Sequence, residues 1–191
     1  MGKYETVMAE EKDIKDLLNI IRHGYYDGKT FHRPNPQLAT IIILQANLGC
    51  RIGDIVNLKT SDFIYDGYAW KLDLIEQKTG KRRNFIVPAP IKEIIDEWTY
   101  ENSIYSGRLF NITSQCCWKH MRAASAYLGL KDFSFHSIRK LAGLRTYYAS
   151  GKDIALTCQF YQHSSPTISS HYLKRSSKQM DEALTKAVFL A

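Results

Sequence analysis

Apolar residues at three- and four-residue spacing mark the first element of the chain. Ile14, Leu17, Leu18 and Ile21 share one face of segment 13–22, which predicts an amphipathic helix. Asn35-Pro36 then supplies a capping side chain and a first-turn proline. The run beyond it is apolar on most sides until Gly49, so a second, more deeply buried helix is expected there. A third, shorter helix is expected over 52–58.

The pattern changes period from residue 62 to residue 87. Trp70, Leu72 and Leu74 alternate with Lys71 and Asp73, and Phe85 and Val87 alternate with Asn84 and Ile86. Lys78-Thr79-Gly80-Lys81 lies between the two runs, so the segment reads as a β-hairpin with a glycine turn. Residues 63–65 are short and apolar enough to add a third strand. Helical spacing returns over 91–101 and 114–128, the latter closed by Gly129. Further helices are expected over 136–149, before Gly151, and over 153–161. Ser165-Pro166 is a helix-start signal ahead of Tyr172, and Met180, Leu184 and Val188 give the tail 178–190 a helical face. The expected fold is mainly α with a small three-stranded antiparallel β-sheet, in one domain.

Composition narrows the partner more than the fold. A chain of 191 residues that is 45% hydrophobic and 24% charged is long enough for one substantial core. The formal net charge is +7, and residues 131–191 hold nine Lys/Arg against four Asp/Glu. A basic C-terminal third suits a phosphate-bearing partner, although a solvated basic face has the same composition. The cysteines, Cys50, Cys116, Cys117 and Cys158, form no C-x-x-C spacing, and reduced thiols in a cytoplasmic protein are expected. The most apolar run, 38–48, is too short for a membrane span and contains Gln45 and Asn47.

Candidate chemistry comes from a constellation. His136 and Arg139 stand three residues apart, which puts them on one helix face. His163 follows Arg139 by 24 residues, and Tyr172 follows His163 by nine. Arg51 sits at a helix boundary after Leu48-Gly49-Cys50, with Asp54 as its expected ion-pair partner. Lys78 stands at the hairpin tip. Each has an ordinary structural explanation when taken alone, and Tyr172 is one of twelve tyrosines. Together they supply what metal-free phosphodiester cleavage requires. Two guanidiniums bind non-bridging oxygens in bidentate fashion, a lysine donates a proton, and a tyrosine beside cations or a histidine becomes a nucleophile.

At this point the chain resembles the tyrosine recombinase (phage integrase) family. Leu48-Gly49-Cys50-Arg51-Ile52-Gly53-Asp54-Ile55 is similar to that family's first arginine box, and Glu76-Gln77-Lys78-Thr79-Gly80-Lys81 to its catalytic-lysine hairpin. His136-Ser137-Ile138-Arg139 resembles its H-x-x-R box. Gln162-His163-Ser164-Ser165-Pro166-Thr167-Ile168, leading to Tyr172, resembles its final box. The boxes occur in the family's order over 40–174.

The resemblance implies a tyrosine recombinase catalytic-domain fold and a role for each residue. Tyr172 would attack the phosphate and hold DNA as a 3′-phosphotyrosine. Arg51 and Arg139 would grip the scissile phosphate, His136 and His163 would assist, and Lys78 would act as general acid. Neither metal nor ATP would be needed, and the implied partners are double-stranded DNA and three further copies in a tetramer. Segment 178–191 would pass between protomers or pack on its own. The family's N-terminal DNA-clamping domain is expected to be absent, which suits either an excised fragment or a catalytic-domain-only integrase. Two positions depart from the family pattern: Gln162, where glycine is common, and Cys50, where leucine is common. Alternatives at this level are a type IB-like topoisomerase, a basic DNA-binding module without catalysis, and a metalloenzyme built on His136, His163 and His171.

Overall fold

The computed structural model of the chain describes residue 7 and residues 9–161. His163, Tyr172 and the tail 178–190 lie outside the described residues.

The expected mainly helical architecture with one small antiparallel sheet is what the chain adopts. Helix α1 (Glu11–His23) starts where the Asp13 carboxylate accepts the Glu10 N–H at 2.9 Å, and it buries Ile14, Leu17 and Ile21. Two very short strands follow, β1 (Tyr25–Tyr26) and β2 (Phe31–His32), paired as a hairpin that the sequence pattern did not predict. Helix α2 (Pro36–Leu48) is capped by Asn35, whose side chain accepts the Leu38 N–H at 3.0 Å. It is apolar nearly all round and packs against α1 and against elements further along the chain, so it forms the centre of the core.

Gly49 ends α2 in the left-handed conformation, φ 60°. The position admits no side chain, because a Cβ there would lie 2.5 Å from the Phe160 ring. Helix α3 (Ile52–Ile55) is a single turn, shorter than its sequence suggests. The Leu58 carbonyl accepts the Leu109 N–H at 2.8 Å and Lys59 bridges to Arg108, so pairing with a distant segment draws the chain out of the helix.

The sheet has the order β3 (Phe63–Tyr65), β4 (Trp70–Ile75), β5 (Arg82–Ile86), all antiparallel. Leu72 lies opposite Phe63 on one side and Phe85 on the other, and it is fully buried. Helix α4 (Ala89–Glu101) carries Pro90 in its first turn. In α5 (Ser114–Tyr127) the Thr113 hydroxyl accepts the Cys116 N–H at 3.2 Å. In α6 (Phe135–Ala149) the Ser134 hydroxyl accepts the His136 N–H, also at 3.2 Å. Helix α7 (Ile154–Tyr161) begins on Asp153, whose carboxylate accepts the Ala155 N–H at 2.7 Å. Among the described residues no helix is long and apolar enough to cross a membrane.

Packing of α6 against α2 and of α7 against α6, with hydrogen bonds at Glu76, Gln77 and Arg83, brings α6, the α2–α3 corner and the turn end of the β4–β5 hairpin together. The α6–α7 contact depends on Gly143. A Cβ there would lie 1.9 Å from the Tyr161 hydroxyl oxygen, which donates a hydrogen bond to the Arg139 carbonyl.

Candidate active site

Four of the six residues singled out from sequence are described, and they converge. Arg51 occupies the extended residue ahead of α3, with φ −69° and ψ 150°. Its side chain keeps 23% of its surface in solvent, and its Nη1 donates to Glu76 Oε2 at 2.5 Å. The expected pairing of Arg51 with Asp54 is not the one formed. Asp54 instead accepts the Gln77 N–H at 2.9 Å, so its carboxylate pins the strand end immediately before Lys78. Burial foremost, with help from the Glu76 charge, pushes the Asp54 carboxyl above its ordinary range.

Glu76 organises this corner. The residue is 1% exposed. Its Oε2 accepts from Arg51 and from the Thr79 hydroxyl at 2.7 Å, and its Oε1 from Arg83 at 3.3 Å. Burial opposes its ionisation, yet Thr79, Arg51 and Arg83 together hold its pKa below the ordinary glutamate value.

Arg83 enters the corner from β5. It is also 1% exposed and lies between the Phe85 and Phe160 rings, 4.8 and 5.4 Å from their centroids. Nη2 donates to the carbonyls of Leu48 at 3.1 Å and Phe160 at 2.8 Å, and Nη1 reaches Gly49 at 3.4 Å.

Arg139 approaches from the other side. Its Nη1 donates to the same Gly49 carbonyl at 2.7 Å, and the guanidinium stacks 4.9 Å from the Tyr161 ring centroid. Its Nη2 is buried with no hydrogen-bond partner among the described residues. A buried donor without a partner is costly, and an anionic oxygen would satisfy this one.

His136 sits one helical turn before Arg139 and is partly exposed. Its pKa is lowered, first by packing around the ring and then by the charges of Arg139, Lys140, Lys78 and Arg51. Lys78 lies exposed in the hairpin turn, near enough for its charge to act on His136. A guanidinium pair, an imidazole whose charged form is disfavoured and an exposed ammonium thus lie close enough to act on one another. Groups of this kind have the chemistry to bind a phosphodiester and to supply a proton to a departing oxygen.

Cys50 takes an apolar place here, fully buried, and burial raises its thiol pKa. Among the described residues no group of three or more His, Cys, Asp or Glu side chains is placed to hold a metal ion. Glu76 and Arg83 escaped the sequence reading of the site. Arg83 did leave a trace there, since it shares inward strand parity with Phe85 and Val87.

A family model described as the phage integrase family matches residues 9–179. The chain is 30% identical over 155 residues to the probable integrase/recombinase YoeC of Bacillus subtilis (strain 168), covering 78% of this chain and 81% of that one. Among solved structures, XerH site-specific recombinase bound to difH substrate superposes with a TM-score of 0.67 at 19% identity over 96% of this chain. The chain spans 55% of that XerH chain's length. The catalytic domain of bacteriophage HP1 integrase superposes with a TM-score of 0.64 at 19% identity over 95% of each chain.

Proposed function

Because the chain belongs to the phage integrase family and has the catalytic-domain fold of tyrosine recombinases, we propose that it cleaves and rejoins double-stranded DNA at a specific site through Tyr172. The Tyr172 oxygen attacks the scissile phosphorus while Arg51 and Arg139 hold the non-bridging oxygens. The P–O5′ bond breaks, Lys78 gives the 5′ oxygen its proton, and DNA remains as a 3′-phosphotyrosine. His136 and His163 assist at the phosphate and at the tyrosine proton. Rejoining is the reverse attack by a 5′ hydroxyl, so the bond energy is kept and neither ATP nor metal enters.

The observation that carries this reading is the Arg139 Nη2, which has no hydrogen-bond partner among the described residues and lies beside Arg51, His136 and Lys78. A guanidinium edge not spent on described protein acceptors is able to fork onto two phosphate oxygens. In this reading residues 1–191 act as a catalytic domain in the cytoplasm, four copies assemble on DNA, and segment 178–191 passes between neighbouring protomers.

The test uses nicked duplexes tiling the DNA that flanks the gene, incubated with the protein in EDTA and run on a denaturing gel. A slow band bearing protein on a 3′ phosphate is expected from at least one duplex. The reading fails if no duplex is trapped, or if Tyr172→Phe traps as much DNA as the unaltered chain.

A further inference from the structure

Both Nη atoms of Arg83 are spent on Glu76 and on main-chain carbonyls, and the residue is placed against the carboxylate that pairs with Arg51. Glu76 and Arg51 taken alone are a neutral pair, one carboxylate against one guanidinium. A neutral pair attracts phosphate poorly, and the attraction of a charge for its neighbour is strong where water is excluded. Arg83 changes the balance. It occupies Oε1 of Glu76 while Arg51 occupies Oε2, so one negative charge is shared between two positive ones. With Asp54 and Arg139 counted, three guanidiniums stand against two carboxylates, so the corner keeps a net positive charge only while Arg83 is present, and Arg51, which keeps surface in solvent, is able to present it.

We propose that Arg83 is a positioning residue that acts through charge: it takes half of the Glu76 carboxylate and so leaves Arg51 cationic toward the scissile phosphate. This rests on the reading of Arg51 as a phosphate ligand and extends it to a residue that touches no substrate. The competing role is that of a plain clamp, since Arg83 also ties the carbonyls of Leu48, Gly49 and Phe160 together. The two roles part company when the carboxylate is neutralised. A clamp is lost in Arg83→Met whatever stands at position 76. A charge balance is restored when Glu76→Gln removes the negative charge along with the arginine, because glutamine still accepts hydrogen bonds from Arg51 and Thr79.

The test is binding of inorganic phosphate, followed by the NMR signal of the His136 ring, which needs no DNA. Arg83→Met is expected to weaken phosphate binding about tenfold or more, as loss of a nearby unit charge in a partly buried site implies. Glu76→Gln/Arg83→Met is expected to recover to within about threefold of the unaltered chain, and so is Arg83→Lys, which keeps the charge but loses the guanidinium fork. The proposal is overturned if the double variant binds no better than Arg83→Met, or if Arg83→Lys is as weak as Arg83→Met. Should Arg83→Met not fold by circular dichroism, Arg83→Lys decides alone: retained binding supports the charge role, and a tenfold loss sinks it. Because phosphate binding is read without cleavage, failure here is separable from failure to trap a covalent DNA complex.

Discussion

Arg51 and Glu76 stand 25 residues apart in the chain and meet through a 2.5 Å ion pair at the corner where α2, α3 and the β4–β5 hairpin come together. The pair is asymmetric, because the arginine keeps part of its surface in water while the carboxylate is buried. Glu76 therefore fixes where the Arg51 guanidinium points without being available to anything else.

Truncating Glu76 should cost more than removing the pair would suggest. Glu76→Ala strands Arg83 as a buried charge without a counter-ion, and breaking a buried pair by removing one partner costs about 3–5 kcal/mol. Glu76→Gln keeps acceptors for Arg51 and Thr79 and should lose less. Urea unfolding of both variants checks the order, and equal losses would show that the lost charge accounts for the whole effect and the retained acceptor contributes little.

Gly143→Ala should destabilise the chain although alanine is the better helix former. Helix propensity alone predicts a gain of about 1 kcal/mol in α6. The added methyl would however stand 1.9 Å from the Tyr161 hydroxyl oxygen and 2.2 Å from Cζ, so α7 must shift. Overpacking of this kind costs about 1–3 kcal/mol, which outweighs the propensity. The shift also breaks the Tyr161 hydrogen bond to the Arg139 carbonyl. Thermal unfolding should show a lowered Tm, and any increase would contradict the packing argument.

The helices were legible because each buries a stripe at regular spacing, and the signals at Asn35, Pro36 and Gly49 mark the ends of α2 with little ambiguity. The β1–β2 hairpin was not legible, since two-residue strands are shorter than any alternation can register. The Arg51 partner was misread for a related reason. Asp54 is close in sequence, whereas Glu76 reaches Arg51 only after the sheet has folded back on α2. Buried charges such as Glu76 and Arg83 leave no periodic signature of their own. They follow the strand's inward parity, and only their polarity sets them apart from Phe85 and Val87.

Stability should fall on mild acidification partly because of His136. Its folded-state pKa lies below the ordinary 6.5, first through packing and then through the surrounding cations. The unfolded chain therefore takes up a proton before the folded one does. Stability is highest above 6.5 and declines as pH falls from there through the folded-state value. His136→Gln should flatten that part of the decline in a Tm-versus-pH series. A profile unchanged between the two chains would mean that the ring titrates alike folded and unfolded.

The hairpin offers a way to separate a proton donor from the groove that positions it. If Lys78 protonates the departing 5′ oxygen, Lys78→Ala should slow cleavage by about 10²–10⁴, the usual worth of a general acid. Replacing that bridging oxygen with sulfur removes the need for the proton, because a thiol leaves with a pKa of about 8.5 rather than that of an alcohol. The sulfur-bridged duplex should then restore Lys78→Ala to near the unaltered rate. Asp54 tests the same chemistry from a distance. Its carboxylate holds the Gln77 N–H, so Asp54→Ala should loosen the strand end that delivers Lys78; its charge also reaches Arg51 and Arg139, a contribution that Asp54→Asn removes without losing the hydrogen bond. Its slower cleavage should recover on the sulfur-bridged duplex, whereas Arg139→Ala, which weakens the grip on the phosphate itself, should stay slow on both. Asp54→Asn keeps an oxygen for the Gln77 N–H and relieves a buried carboxyl already pushed above its ordinary range, so it should cleave nearly normally. Single-turnover rates on the two duplexes measure all four variants. Should Asp54→Ala remain slow on sulfur while Lys78→Ala recovers, Asp54 acts on the phosphate cradle and not through the lysine.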